Sequence, residues 1–172
     1  DKETAEIAIS AALTGHLVLS TLHTNDAAGA VTRLINMGMP AYLVSTAVIA
    51  AIAQRLIRTL CPQCSEKHTP DYYELQTINK YKQIDHNTQI QRSKGCVNCY
   101  QTGYYGRKSI YEILELSPEI MKMVVEGRQG AQIQNRAVEE GMRTLTQNAI
   151  KEVLKGNTSF EEMMRVISTG RS

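Results

Sequence analysis

The alternation of apolar and polar residues predicts helices and one buried strand in the first part of the chain. Residues 3–14 are rich in Ala and Ile and predict a helix, which Gly15 ends. Residues 16–23 have an almost continuous apolar centre, typical of a strand in a sheet covered on both faces. The polar residues 24–26 provide N-cap candidates for a second helix that begins at Ala27.

The rest of the pattern predicts one long apolar helix, one further strand and a helical C-terminal region. The apolar helix is predicted over 41–60 and the strand over 108–116. Ser117, followed by Pro, predicts a helix start, and capping-box patterns begin at Thr144 and Ser159. This order of a helix, a buried strand and two further helices is typical of an α/β sheet domain whose earlier elements would precede this sequence.

Length and charge limit the classes of function. A chain of 172 residues can bury one substantial core with a small appendage, or two compact units. Lys plus Arg number 19 against 17 Asp plus Glu, so no strong field selects nucleic acid or a membrane. The chain opens at Asp1 without a Met and without a signal peptide, which suggests a fragment of a cytoplasmic protein.

All four cysteines of the chain lie in two Cys-x-x-Cys pairs. Cys61 and Cys64 form one pair, and Cys96 and Cys99 form the other. Four thiolates in two short pairs suit a tetrahedral structural zinc ion, with no coordination position left open for water. The alternatives are two disulfides or four unrelated buried thiols.

Two histidines bracket the predicted strand at 16–23. If both lie in the strand, His16 and His23 are about 23 Å apart, at roughly 3.3 Å per residue, and on opposite faces. Ligands of parallel α/β sheets bind at the carboxyl ends of the strands, which favours His23. His16, at the amino end, is interpreted as a structural or interface residue.

Four motifs stand out in the first part of the chain: Asp-x-Glu-Thr-Ala at 1–5, Ala-Ala-Leu-Thr-Gly-His-Leu-Val at 11–18, Ser-Thr-Leu-His-Thr-Asn at 20–25 and Ala-Gln-Arg-Leu at 53–56. Together they resemble the secretion ATPase superfamily, the hexameric motors of type II secretion and type IV pilus assembly. The resemblance extends over essentially the whole chain.

Further motifs resemble the tetracysteine branch of this superfamily, the assembly and secretion ATPases. They are Leu-Cys-Pro-x-Cys at 60–64, Gly-Cys-x-x-Cys at 95–99, Thr-Gly-Tyr-x-Gly-Arg at 102–107 and Tyr-Glu at 111–112. The retraction motors of the superfamily lack this insert.

The resemblance implies a fold class and a domain division. The fold is α/β: the second half of a RecA-like P-loop ATPase core over 1–60, a tetracysteine zinc module over 61–107 and a mainly helical C-terminal domain over 108–172. No Gly-x-x-x-x-Gly-Lys-Ser/Thr loop occurs in the chain, and only Asp1 remains of the Walker B motif. The chain by itself should therefore be catalytically inactive.

The resemblance also implies roles for individual residues. His16 to His23 form the His box, in which His23 would sense or polarise the γ-phosphate or the attacking water as a catalytic residue. His16 would act in catalysis or in coupling between subunits. The alternative is that the whole His box only couples subunits. Asp1 and Arg55 are the nucleotide-binding candidates, although Arg55 could instead be a cation at a helix C-terminus. Arg107 could contact nucleotide or a neighbouring subunit, or be a solvated loop charge.

The implied cofactors are a structural Zn²⁺ and, in the full-length protein, ATP and Mg²⁺. The implied partners are copies of the chain in a homo-hexamer and the inner-membrane platform and accessory proteins of the machine, but no nucleic acid. The protein would be cytoplasmic and peripheral to the inner membrane. The alternative is a stand-alone zinc-binding interaction module, possibly for nucleic acid, against which the His box and the near-neutral charge argue.

Overall fold

The computed structural model describes residues 1–168, and residues 169–172 of the predicted C-terminal domain lie outside the described residues. The helices are α1 (Lys2–Leu13), α2 (Ala27–Asn36), α3 (Ala41–Ala47), α4 (Tyr72–Asn79), α5 (Pro118–Val125), α6 (Gly130–Glu139), α7 (Leu145–Leu154) and α8 (Phe160–Ser168). The strands are β1 (Ala50–Leu60), β2 (Glu66–His68), β3 (Ile90–Arg92) and β4 (Tyr104–Glu115). Strand β1 pairs with β4, and β2 pairs with β3 in antiparallel register.

The predicted helix starts are confirmed, because short-range caps decide them. The Asp26 carboxylate accepts the Gly29 N–H at 2.6 Å at the start of α2. Ser117 accepts the Ile120 N–H at 3.2 Å before α5, with Pro at the first helical position. Gly15 follows α1 with a φ of +94°, a conformation that favours glycine.

The strand predicted over 16–23 is wrong for the described chain. These residues have no regular secondary structure, and Leu17 and Leu19 are 79% and 88% exposed. A strand forms only where a neighbouring strand satisfies its backbone hydrogen bonds, and no described strand pairs with this segment. The separation of about 23 Å between His16 and His23, which assumed this strand, loses its basis.

The long helix predicted over 41–60 is also wrong beyond its first turns. Helix α3 ends at Ala47, and β1 begins at Ala50. Strand β1 is antiparallel to β4, since Leu116 N–H donates to the Ile49 carbonyl at 3.0 Å at one end and the Thr59 hydroxyl donates to the Tyr105 carbonyl at the other. Backbone pairing along β4 replaces the internal hydrogen bonds of a helix.

The strand predicted over 108–116 is confirmed, and β4 begins earlier, at Tyr104. Its inward positions Ile110, Glu112 and Leu114 are buried, whereas the residues between them are exposed. This alternation is the period of two that a strand requires.

The described chain divides into two compact units that are each built from two stretches of sequence. The first comprises residues 1–53 and 112–144, and its buried side chains include Ile9, Val31, Val44, Leu114, Ile120, Val124 and Ile133. The second comprises 54–111 and the residues from Leu145 onward, around a core of Ile57, Ile78, Ile90, Ile110, Ala149, Ile150, Val153, Phe160, Met163 and Val166. The domain boundaries expected from the resemblance stay a prediction. Among the described residues, no helix is long and apolar enough to cross a membrane.

Candidate functional site

The four cysteine sulfurs converge on one point within the second unit. The Sγ atoms of Cys61, Cys64, Cys96 and Cys99 all lie within 4.8 Å of one another. The Cys61–Cys96 pair is 4.0 Å apart, the Cys64–Cys99 pair 3.8 Å and the Cys96–Cys99 pair 3.7 Å. A zinc ion about 2.3 Å from each of four tetrahedrally placed sulfurs requires sulfurs about 3.8 Å apart. The cluster therefore fits a zinc ion.

The same distances do not fit the alternatives that the spacing left open, because no two sulfurs lie at disulfide distance and all four converge on one point. All four cysteines are free thiols, and their separations are far longer than a disulfide bond of about 2.05 Å. Three of the four residues are buried and Cys96 is half-buried, so the cluster has little contact with solvent. Its donor set leaves no position open for catalytic water.

Tight backbone turns bring each Cys-x-x-Cys pair together. The Ser65 N–H donates to the Cys61 carbonyl at 3.1 Å, and the Gln101 N–H donates to the Cys96 carbonyl at 2.9 Å. The two turns are joined because the Cys61 N–H donates to the Gly103 carbonyl at 2.9 Å. The pairs are thus held against each other by backbone as well as by any shared metal.

Two glycines of the second turn cannot be replaced without strain. Gly95 has a φ of +106°, and a Cβ there would lie 2.8 Å from the Gln101 carbonyl oxygen. Gly103 has a φ of +76°, and a Cβ would lie 2.5 Å from the Ser93 Cβ. Both glycines belong to the motifs at 95–99 and 102–107 on which the resemblance rests, and the geometry explains why they are glycine.

The thiols differ in their tendency to ionise. Burial disfavours the thiolate of Cys99, but hydrogen bonds from the backbone N–H groups of Cys96 and Gly103, each 3.2 Å from its sulfur, outweigh burial and lower its pKa to about 6. Burial raises the pKa of Cys64 to about 11. A bound cation would stabilise all four as thiolates, so metal binding should release protons.

The His-box residues lie at the two ends of the segment between α1 and α2. His16 is held at the end of α1, where its backbone N–H donates to the Ala11 carbonyl at 3.1 Å and its ring Nδ1 lies 3.2 Å from the Thr14 hydroxyl. His23 is exposed and precedes the cap of α2 at Asp26. The two imidazoles remain candidates, with His16 tied to a helix end and His23 open to solvent.

The nucleotide-binding candidates have local structural roles as well. Asp1 is exposed and caps α1 by accepting the Thr4 N–H at 2.8 Å. Arg55 is half-buried on β1, and its Nη1 donates to the Gln54 carbonyl at 3.1 Å. Because Arg55 lies in a strand, its interpretation as a cation at a helix C-terminus is wrong. Arg107 is exposed on β4 rather than in a loop.

One buried acid was not recognised as important from the sequence. Glu112 is only 2% exposed, and its Oε1 accepts the N–H of Ala27, the first residue of α2, at 3.0 Å. The carboxylate thus satisfies a free donor at the helix N-terminus that follows the His box. The sequence signal that could have identified Glu112 is its acidic side chain at an inward position of the alternating strand β4.

Comparisons with known proteins find relatives over almost the whole chain. Residues 1–165 match the family model of the type II/IV secretion system protein. A type II secretion system protein E of Escherichia coli (strain K12) is 45% identical over 168 residues, which are 98% of this chain and 34% of the relative. The type IV pilus assembly ATPase PilB of Thermus thermophilus is 40% identical over 164 residues, 95% of this chain and 18% of the relative. The chain therefore spans about a third of the length of the first relative and less than a fifth of the second.

A solved structure with a similar fold is that of the Legionella pneumophila ATPase DotB. Its TM-score is 0.63 at 20% identity, and the match covers 98% of this chain and 36% of DotB. This likeness confirms the predicted α/β, RecA-like fold class, and at this identity it shows the fold alone.

Proposed function

The chain belongs to the type II/IV secretion system protein family, a family of secretion and pilus ATPases, and from this premise we propose that it is the C-terminal part of a motor that hydrolyses ATP to power type II secretion or type IV pilus assembly. The observation that carries the proposal is the match over residues 1–165. The parent protein would be a Mg²⁺- and ATP-dependent homo-hexamer at the cytoplasmic side of the inner membrane. It would act with the platform and accessory proteins of the machine and without nucleic acid.

A structural zinc ion held by Cys61, Cys64, Cys96 and Cys99 is part of this proposal. The sulfur separations and the hydrogen bonds to Cys99 Sγ support it. When bound, zinc would contribute local folding energy to the module and no reaction step. The cysteines and their backbone donors would hold the turn geometry in place.

Residues of the His box would take part in ATP hydrolysis. Phosphoryl transfer depends mainly on positioning and on stabilising developing charge. We assign His23 to the γ-phosphate or the attacking water, because it is exposed beside the N-terminus of α2. We assign His16, which is tied to the end of α1, to catalysis or coupling between subunits. Asp1 and Arg55 would contribute to nucleotide binding.

The two histidines of the parent protein provide the test. His23→Ala should lower the ATP turnover number more than the nucleotide affinity, because it removes an interaction made mainly in the transition state. His16→Ala should act chiefly through assembly or coupling between subunits, so its defect should diminish at high protein concentration. The measurement is the ATPase rate against protein concentration for both variants. If high concentration restored the His23 variant and not the His16 variant, the assignments would be reversed.

A further inference from the structure

A carboxylate in the last described helix is completely enclosed and has several cationic donors. The side chain of Glu162, on α8, is 0% exposed. Its oxygens accept the backbone N–H of Arg58 at 2.9 Å and the Arg58 Nε at 2.8 Å. They also accept Nε and Nη2 of Arg165 at 2.8 and 2.7 Å. A buried charge with so many donors is fully compensated, and removing it would leave these donors unpaired.

The same cluster reaches the strand that leaves the cysteine site. The guanidinium carbon of Arg58 lies 4.0 Å from the centroid of the Tyr104 ring, a cation–π contact. The Tyr104 hydroxyl lies 2.6 Å from the Ser159 hydroxyl, one residue before α8. The neighbouring Thr158 hydroxyl donates to the Arg58 carbonyl at 2.7 Å, and both Thr158 and Ser159 are fully buried.

Arg58 and Tyr104 stand at the two chain segments that border the cysteine cluster. Strand β1 carries Arg58 and runs into Cys61, whose N–H donates to the Gly103 carbonyl. Gly103 in turn donates its N–H to Cys99 Sγ at 3.2 Å, and Tyr104 is the next residue. The cluster around Glu162 therefore contacts the chain three residues before the first ligand pair and five residues after the second.

We propose that Glu162 is a positioning residue of the cysteine site: through Arg58 and Tyr104 it holds the two ligand-bearing turns in register, so that α8 sets the affinity for metal. Coupling between two sites is reciprocal, so metal binding stabilises α8 by the same free energy. Groups that contact metal ligands from outside the coordination shell typically change metal affinity by about 10- to 100-fold when they are removed. Glu162 acts through Arg58 and Tyr104 rather than through direct contact with a ligand, so the low end of this range is expected. This inference rests on the zinc site of the proposed function and not on the ATPase activity.

The experiment measures Zn²⁺ affinity of the full chain by competition with a chromophoric chelator under reducing conditions. Glu162→Gln should weaken zinc binding about 10-fold, and Tyr104→Phe should also weaken it. Glu161→Gln is the matched control, because it removes the same charge from an exposed position on the same helix. The control should bind zinc like the wild type.

Hydrogen exchange supplies a second readout that does not depend on a variant that folds. Stripping zinc from the wild-type chain should speed amide exchange in α8, and this dependence should be lost in Glu162→Gln. Wild-type zinc affinity in a folded Glu162→Gln variant would overturn the proposal. If that variant fails to fold, zinc-independent exchange in α8 together with unchanged affinity in Tyr104→Phe would overturn it. A wild-type chain that takes up no zinc would overturn the zinc site as well, so the two failures are distinguishable.

Discussion

Glu112→Ala should destabilise the first unit because it removes the buried acceptor of the Ala27 N–H. The Glu112 carboxylate is buried and accepts the Ala27 N–H at 3.0 Å at the N-terminus of α2. Hydrogen bonds to charged groups contribute about 1.5–3 kcal/mol. A carboxylate at a helix N-terminus adds about 0.3–1 kcal/mol. Together these terms predict a loss of about 2–4 kcal/mol in the free energy of unfolding.

Two further variants separate hydrogen bonding from charge. Glu112→Gln keeps an acceptor oxygen for the Ala27 N–H but loses the charge, so it should cost less than the alanine variant. Glu115→Gln, at an exposed position of the same strand, should change stability by no more than about 0.5 kcal/mol. The assays are urea unfolding and the exchange rate of the Ala27 amide proton. An alanine variant with wild-type stability and a protected Ala27 amide would refute the reasoning.

Three other predictions follow from the site and its surroundings. Chain purified under reducing conditions without chelator should contain one zinc ion. Cys96→Ser should lose the zinc and also the protection of the backbone amides around the second turn against hydrogen exchange. Elemental analysis that finds no metal in the wild type would contradict this prediction. The chain alone should show no micromolar affinity for ATP by calorimetry, because it has no phosphate-binding Gly-x-x-x-x-Gly-Lys-Ser/Thr loop. Burial opposes ionisation of Glu162, but hydrogen bonds from Arg165 and Arg58 lower its pKa from 4.5 to about 2. The ionised carboxylate therefore contributes on the order of 3 kcal/mol to the free energy of unfolding above pH 4.5, and this contribution is lost as the pH falls through 2. Chemical denaturation between pH 6 and pH 2 should therefore show that the stability difference between the wild type and Glu162→Gln becomes smaller in acid. A difference that stays constant with pH would show that the ionised carboxylate does not stabilise the fold.

Features that depend on neighbours in sequence were predictable from the sequence alone. The Asp26 and Ser117 caps each act across three residues, and so they follow from local residue order. The two Cys-x-x-Cys pairs likewise form turns within a few residues, which made four converging ligands a sound prediction. The family and fold class followed from the motifs around these features.

The boundary between helix and strand after residue 47 depended on the tertiary structure. In β1 the buried residues Ala53, Ile57 and Leu60 are spaced by four and three, which is the spacing of a helix face. Pairing with β4, about fifty residues later in the chain, decides for a strand. The apolar segment 16–23 shows the converse, because its composition suits a strand and no described strand pairs with it.

The partners of the buried acids were equally beyond local prediction. Glu112 meets Ala27 and Glu162 meets Arg58 only because the fold brings distant segments together. A sequence pattern records which positions turn inward, but a buried carboxylate is tolerated only where the fold places donors around it. Local chemistry therefore determined the caps and the cysteine turns, whereas long-range pairing decided the strands and the charges that the core encloses.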